Sequence, residues 1–121
     1  MRAVIVALES EAAAVRACLK AGDRLYVSGV GKVNAAACAQ EALDDGATEV
    51  VNLGVAGGVE ETMEVGDVFE IDRAVEYDFD LSEVNGTEVG VHNERSTPYF
   101  KLQTKGLYPT KTRDKVLLSE V

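Results

Sequence analysis

Residues 2–20 of the chain read RAVIVALESEAAAVRACLK. The first seven, Arg2 to Leu8, are nearly all apolar and rich in β-branched side chains, the pattern of a strand buried on both faces of a parallel sheet. Glu9-Ser10-Glu11 then leads into AAAVRACLK, where helix propensity is high, acids in the first turn favour the helix dipole, and Gly22 supplies the stop. A central strand passing straight into a helix is the opening of a crossover unit.

Moving outward, the same order repeats. Leu25 to Val27 reads as a second strand, Ser28-Gly29-Val30-Gly31 as a tight turn, and Val33 to Leu43 (VNAAACAQEAL) as a second helix ending near Gly46. Glu49 to Leu53 reads as a third strand, followed by GVAGG at Gly54 to Gly58, and Val65 to Tyr77 reads as a long strand. The expected fold class is α/β: three layers, with a mixed, mostly parallel sheet and crossover helices. Beyond Asp78, Asn85-Gly86 predicts a hairpin turn between weak strands. Residues 93–112 are polar and hold both prolines, Pro98 and Pro109, so the expectation for 82–112 is a loop or lid within a single domain over 1–121. Lys115 to Val121 has strand character with no crossover after it, so the sheet reads as incomplete at its carboxyl end.

Composition bounds the function. A chain of 121 residues that is 46% hydrophobic and 27% charged fits one soluble globular domain. No run approaches the ~20 apolar residues of a membrane span, and MRAVIVALESE meets acids too early for a signal-peptide core. A cytoplasmic protein is expected. A net charge of −9 repels phosphate backbones and anionic lipid, which argues against nucleic acid and membrane as partners. The charge is uneven: Glu41 to Glu94 carries sixteen acids and one base, Arg73, whereas from Arg95 onward six bases face two acids. Either two differently solvated faces or a basic segment lying against an acidic one produces that pattern. Cys18 and Cys38 stand twenty residues apart without a CxxC or a neighbouring histidine, so no metal site is expected and both thiols read as small apolar side chains in helices. The one histidine, His92, falls in the polar stretch GVHNERSTP and reads as a surface residue.

The glycine turns point to a small-molecule site, because open α/β sheets bind ligands at the carboxyl ends of their strands. The first turn, Ser28-Gly29-Val30-Gly31-Lys32, fails both nucleotide patterns. A P-loop needs Gly and Ser or Thr where Tyr26 and Val33 stand, and GxGxxG needs Gly at Asn34. In GVAGG, three glycines in five residues leave backbone accessible to a flat ligand, or simply form a turn. Glu9 and Glu11, at the end of the first strand, are the candidate carboxylates. Both suit a solvated first helical turn; one of them, pointing into the crevice, would be pushed up by partial burial and act as a general base for water.

Taken in order, ALESE, SGVGKVNAA and VVNLGVAGGVEETMEVGDVFEID resemble the purine nucleoside phosphorylase/hydrolase superfamily, and within it the 5′-methylthioadenosine/S-adenosylhomocysteine nucleosidase branch. The resemblance spans about residues 2–80 and rests on NxGxAGG followed by VGD. It implies a nucleoside phosphorylase/hydrolase-like fold and hydrolysis of the N-glycosidic bond of an adenine nucleoside. The glutamate that activates water in the family falls on Glu11, and the glycine-rich turn beside the nucleoside falls on Val55, Ala56 and Gly57. Nucleosidases usually have Ser where this chain has Val55, which removes a hydroxyl from the reaction side. The phosphate loop that phosphorylases place after the first strand is absent, so hydrolysis is preferred to phosphorolysis, and a non-catalytic nucleoside-binding module is the further alternative.

The implied reaction needs no metal or organic cofactor. Loss of adenine leaves an oxocarbenium-like sugar, which a carboxylate and an acidic site stabilise. The family's purine-protonating aspartate and its Met-Glu ribose clamp come after the strand at which this chain ends, so neither maps here. The link between the first helix and the SGVGK strand is shorter than usual in the family. The resemblance also implies a homodimer whose neighbouring subunit closes the pocket, with residues 95–110 as the segment to inspect.

Overall fold

The structure is a computed structural model that describes residues 1–102 and the backbone of Leu118–Ser119. It divides into two compact units, Met1–Val59 with Leu117–Val121, and Glu60–Val116. Among the described residues no helix is long and apolar enough to cross a membrane.

The first unit is a parallel α/β sheet. Strands β1 (Arg2–Val6), β2 (Asp23–Val27) and β3 (Glu49–Asn52) lie in the order β2-β1-β3. Both neighbours run parallel to β1, with Arg2 opposite Asp23 on one side and Glu49 on the other. The apolar run is therefore central, and Ala3 to Val6 are all buried. Helix α1 (Glu9–Arg16) connects β1 to β2, and α2 (Lys32–Asp44) connects β2 to β3. Right-handed crossovers leaving in opposite directions put the two helices on opposite faces of the sheet. Alternation along β1 serves both: Ala3 and Ile5 pack with Tyr26, Cys38, Ala42 and Ala47 beneath α2, while Val4 and Val6 face the other way, towards Ala12 of α1. A two-residue strand β4 (Gly57–Gly58) pairs antiparallel with β7 (Leu118–Ser119), which falls within the strand expected over 115–121; the rest of that segment lies outside the described residues.

The second unit is built from short pieces. Strand β5 (Arg73–Val75) pairs antiparallel with β6 (Tyr99–Lys101), and α3 (Ser82–Asn85) makes one turn of helix between them. A hollow of about 440 Å³ is lined by Glu94, Arg95, Ser96, Thr97, Tyr99 and Lys101. The segment read as a loop or lid thus contains α3 and β6, and residues 103–112 of it are outside the described part.

Four local expectations are corrected. The long strand over Val65 to Tyr77 shrinks to Arg73–Val75, because Glu64 and Asp67 close a turn on each other and Gly66 sits at φ +97°. Apolar residues at 65, 68, 69 and 71 do not keep the period of two that a paired strand requires. Asn85-Gly86 ends a helix rather than turning a hairpin. Asp80 Oδ1 accepts the Ser82 amide at its start, and Gly86, left-handed at φ +71°, donates its N–H to the Ser82 carbonyl at its end. Cys18 lies beyond α1 and is exposed, since the helix stops at Arg16, whereas Cys38 is buried in α2 as expected.

His92 is not a plain surface residue. Its ring stacks on Phe79 at 3.9 Å and meets Phe100 edge-on at 5.8 Å. Its Nε2 is buried without a hydrogen-bond partner among the described residues, 3.7 Å from Glu76 Oε2.

Candidate functional site

In the order β2-β1-β3 the carboxyl ends of β1 and β3 are the topological switch point, the place where open α/β sheets bind their ligands. Main-chain bonds extend the ladder past the strands there. Ser28 and Gly29 donate to the carbonyls of Val6 and Ala7, and Leu53 donates to Ile5. Both glycine turns are thereby drawn to the end of β1.

The two candidate carboxylates part company at this point. Glu9, in the exposed first residue of α1, turns along the helix to Arg16 at 2.9 Å. It is a surface pair of little energetic consequence. Glu11 turns back. Leu8, at the N-cap, has no side-chain acceptor to offer, and Glu11 at N3 supplies the reciprocal half of a capping box by accepting the Leu8 amide at 3.0 Å. The same Oε2 accepts the Ala7 amide at 2.9 Å. Its other oxygen, Oε1, accepts the Val55 amide at 3.1 Å, across forty-four residues of sequence.

Glu11 therefore bridges the end of β1 and the turn after β3. Three N–H dipoles aimed at one carboxylate favour its charged form. Its pKa lies below the ordinary glutamate value, chiefly through the Val55 amide, with partial burial opposing and the Leu8 and Ala7 amides adding to it. The sequence-based expectation that burial would raise the pKa of an inward-facing acid is overturned. At this depth, hydrogen bonds outweigh desolvation.

The predicted ligand-lining residues follow directly. Val55 directs its amide at Glu11 and is, as a residue, 74% exposed. Ala56 is exposed, and Gly57 is half-buried in β4, its backbone opposite Ser119. The last two glycines of GVAGG thus form a paired strand rather than part of a β-turn. The structure brings Glu11 against Val55, the first of the three positions singled out from the sequence, and against Gly54, one residue before them.

Sequence reasoning missed Gly54 and the amides of Ala7 and Leu8. A glutamate three residues after Leu8, at the strand-to-helix junction, is the capping-box spacing that signals the latter two. Nothing local signals the former.

The sequence profile of the phosphorylase superfamily matches residues 19–115. That stretch includes the turn after β3 and begins beyond Glu11. A 5′-methylthioadenosine/S-adenosylhomocysteine nucleosidase of Treponema pallidum (strain Nichols) is 38% identical over 98 residues, covering 65% of this chain and 36% of the relative. A protein of the same name from Marinomonas sp. (strain MWYL1) is 42% identical over 59 residues, covering 48% of this chain and 26% of the relative. The matches thus span between about a quarter and a third of those relatives' lengths.

Proposed function

The chain belongs to the phosphorylase superfamily, and from that premise we propose that it carries the water-activating side of a nucleosidase. The reaction is hydrolysis of the N-glycosidic bond of adenine nucleosides such as 5′-methylthioadenosine or S-adenosylhomocysteine. The observation that carries this reading is the placement of Glu11 at the switch point, tied to the β3 turn through the Val55 amide. A carboxylate held there is ionised at neutral pH and oriented by main chain on both sides.

In this reading Glu11 is the base that takes a proton from water as the C–N bond opens. Its negative charge also stabilises the positive charge that develops on the sugar. The nucleoside lies along Val55, Ala56 and Gly57. A purine acid and a ribose clamp must come from residues other than these. The active form is a cytoplasmic homodimer, with residues 95–110 as the segment that meets the neighbouring subunit.

The test is adenine release from 5′-methylthioadenosine by the protein in the polypeptide in which it occurs. Glu11→Gln, which keeps the shape of the side chain, is expected to lower kcat by about 10²–10⁴-fold, the usual contribution of a general base, with the fold intact by circular dichroism. Unchanged turnover in that variant removes Glu11 from the mechanism. A rate that rises with added phosphate assigns phosphorolysis instead.

One observation favours a second reading, a nucleoside-binding module without turnover: three amide donors weaken Glu11 as a base. Calorimetric binding of the nucleoside with no adenine formed supports that alternative.

A further inference from the structure

An ionised carboxylate offers about four lone-pair sites, two on each oxygen. At Glu11 the Ala7 and Leu8 amides occupy both sites of Oε2, and the Val55 amide occupies one site of Oε1. Among the described residues the remaining site, on Oε1, takes no hydrogen bond. Beside that oxygen stands the α-carbon of Gly54, where a β-carbon would come 3.1 Å from Oε1, 3.7 Å from Cδ and 3.8 Å from Oε2. The first distance is tighter than most real β-carbon contacts, so the carboxylate would have to give way by a few tenths of an ångström. Gly54 is not among the glycines with a left-handed backbone, which rules out strain relief as the reason for its lack of a side chain. What a side chain would disturb is the approach of the turn to the carboxylate.

We propose that Gly54 is a positioning residue for Glu11: its bare α-carbon lets the Val55 amide close onto Oε1 and leaves the last acceptor site of that oxygen open, so that Oε1 is the atom that receives the proton of the attacking water. The assignment rests on the reading of Glu11 as the base. In the step, a water O–H bond breaks and its proton passes to Oε1. The water oxygen bonds the anomeric carbon, and the electron pair of the C–N bond leaves with the purine. Oε2, occupied by two amides, serves as the anchor that holds the group in one orientation.

The test is an acid titration of the full chain followed by NMR, observing the Glu11 carboxyl carbon and the amides of Ala7, Leu8 and Val55. In the native sequence all three amides are expected to shift with the Glu11 midpoint, which lies below the ordinary glutamate value, and in Glu11→Gln all three responses vanish. In Gly54→Ala the Val55 response is lost and the midpoint moves up, while Ala7 and Leu8 still follow it. A Val55 amide that ignores the Glu11 titration in the native sequence overturns the proposal, whether or not Gly54→Ala folds. So does a folded Gly54→Ala protein with an unchanged midpoint and an unchanged Val55 response.

Turnover is read separately. Where adenine is released, Gly54→Ala lowers kcat by at least about tenfold, the scale of a small misplacement of a reacting group, and leaves KM within about twofold; an unchanged kcat overturns the assignment of Oε1. A titration that behaves as described in a protein that releases no adenine defeats the hydrolase reading alone and leaves Gly54 as the residue that positions Glu11.

Discussion

The two units solve the problem of order differently. In the unit built on β1, nine of the ten buried apolar residues found among the described residues lie before residue 60, and they form layers on both faces of a parallel sheet. The unit that begins at Glu60 contributes only Val91 to that set. It is organised instead by rings and turns: His92 between Phe79 and Phe100, Arg95 over Phe100, and Arg73 over Tyr99. The difference shows where a precise site belongs. A carboxylate that must be held within tenths of an ångström is carried by the part with close-packed walls, at the ends of two strands whose relative position the core fixes.

The sharpest way to break that contrast is to put a charge in each unit. Val6 is fully buried in the central strand, and Val6→Asp is expected to cost several kcal/mol, on the order of 3–5, enough to abolish the sheet's circular-dichroism signal. Val68, 61% exposed, should accept the same change within about 0.5 kcal/mol. Urea denaturation of both variants measures this. Equal losses would mean that the two units share one core.

A smaller effect should be confined to the second unit. Gly90 sits at φ +87°, and a β-carbon there would lie 2.7 Å from Val75 Cγ2 and 3.1 Å from Pro98 Cβ. Gly90→Ala therefore combines backbone strain with overpacking, about 1–3 kcal/mol. The expected reading is a change in the NMR signals of Phe79, His92 and Phe100 with Ala3 to Val6 undisturbed. If the amide protection of β1 falls equally, the units do not melt separately.

The smallest effect is electrostatic and belongs to the first unit. Arg2 donates two hydrogen bonds, at 3.0 and 2.6 Å, to Asp23, whose side chain is only 7% exposed, and the Lys20 amide donates a third at 2.8 Å. Arg2 first, then the Lys20 amide, hold the Asp23 carboxyl below the ordinary aspartate value. Folding therefore favours the ionised form. This contribution is fully present above the unfolded aspartate value, about 3.9, and is lost as pH falls through the lower native value. Comparing urea midpoints at pH 5 and at successively lower pH, the drop should be smaller in Arg2→Ala than in the native sequence. An identical drop would show that the acid sensitivity of the sheet arises elsewhere.

The first unit was largely legible. The strand expected over Arg2 to Leu8 is observed over Arg2–Val6, the helix expected over Val33 to Leu43 over Lys32–Asp44, and the strand expected over Glu49 to Leu53 over Glu49–Asn52. These elements carry continuous apolar runs or alanine-rich helical stretches, signals that are local. The second unit was misread where local signals compete. Asn85-Gly86 suits a hairpin and a helix end equally, and the Asp80 carboxylate, which accepts the Ser82 amide, accompanies the helix. His92 looked like a surface residue because the rings that cover it come from Phe79, thirteen positions earlier, and Phe100, eight positions later.

The site divides in the same way. That a carboxylate and a glycine turn lie at the carboxyl ends of parallel strands follows from element order, which propensity and periodicity determine without reference to the rest of the molecule. By residue type Glu9 and Glu11 are both first-turn acids, and the spacing from Leu8 marks Glu11 only as the acid that caps the helix start. Tertiary structure adds the rest, because the pairing of β3 alongside β1 brings the Val55 amide and the bare Gly54 to Glu11 and leaves Glu9 beside Arg16. Whether an acid's charge is held by backbone dipoles or by water depends on what stands within hydrogen-bond reach of it, and here that neighbour arrives from forty-four residues away.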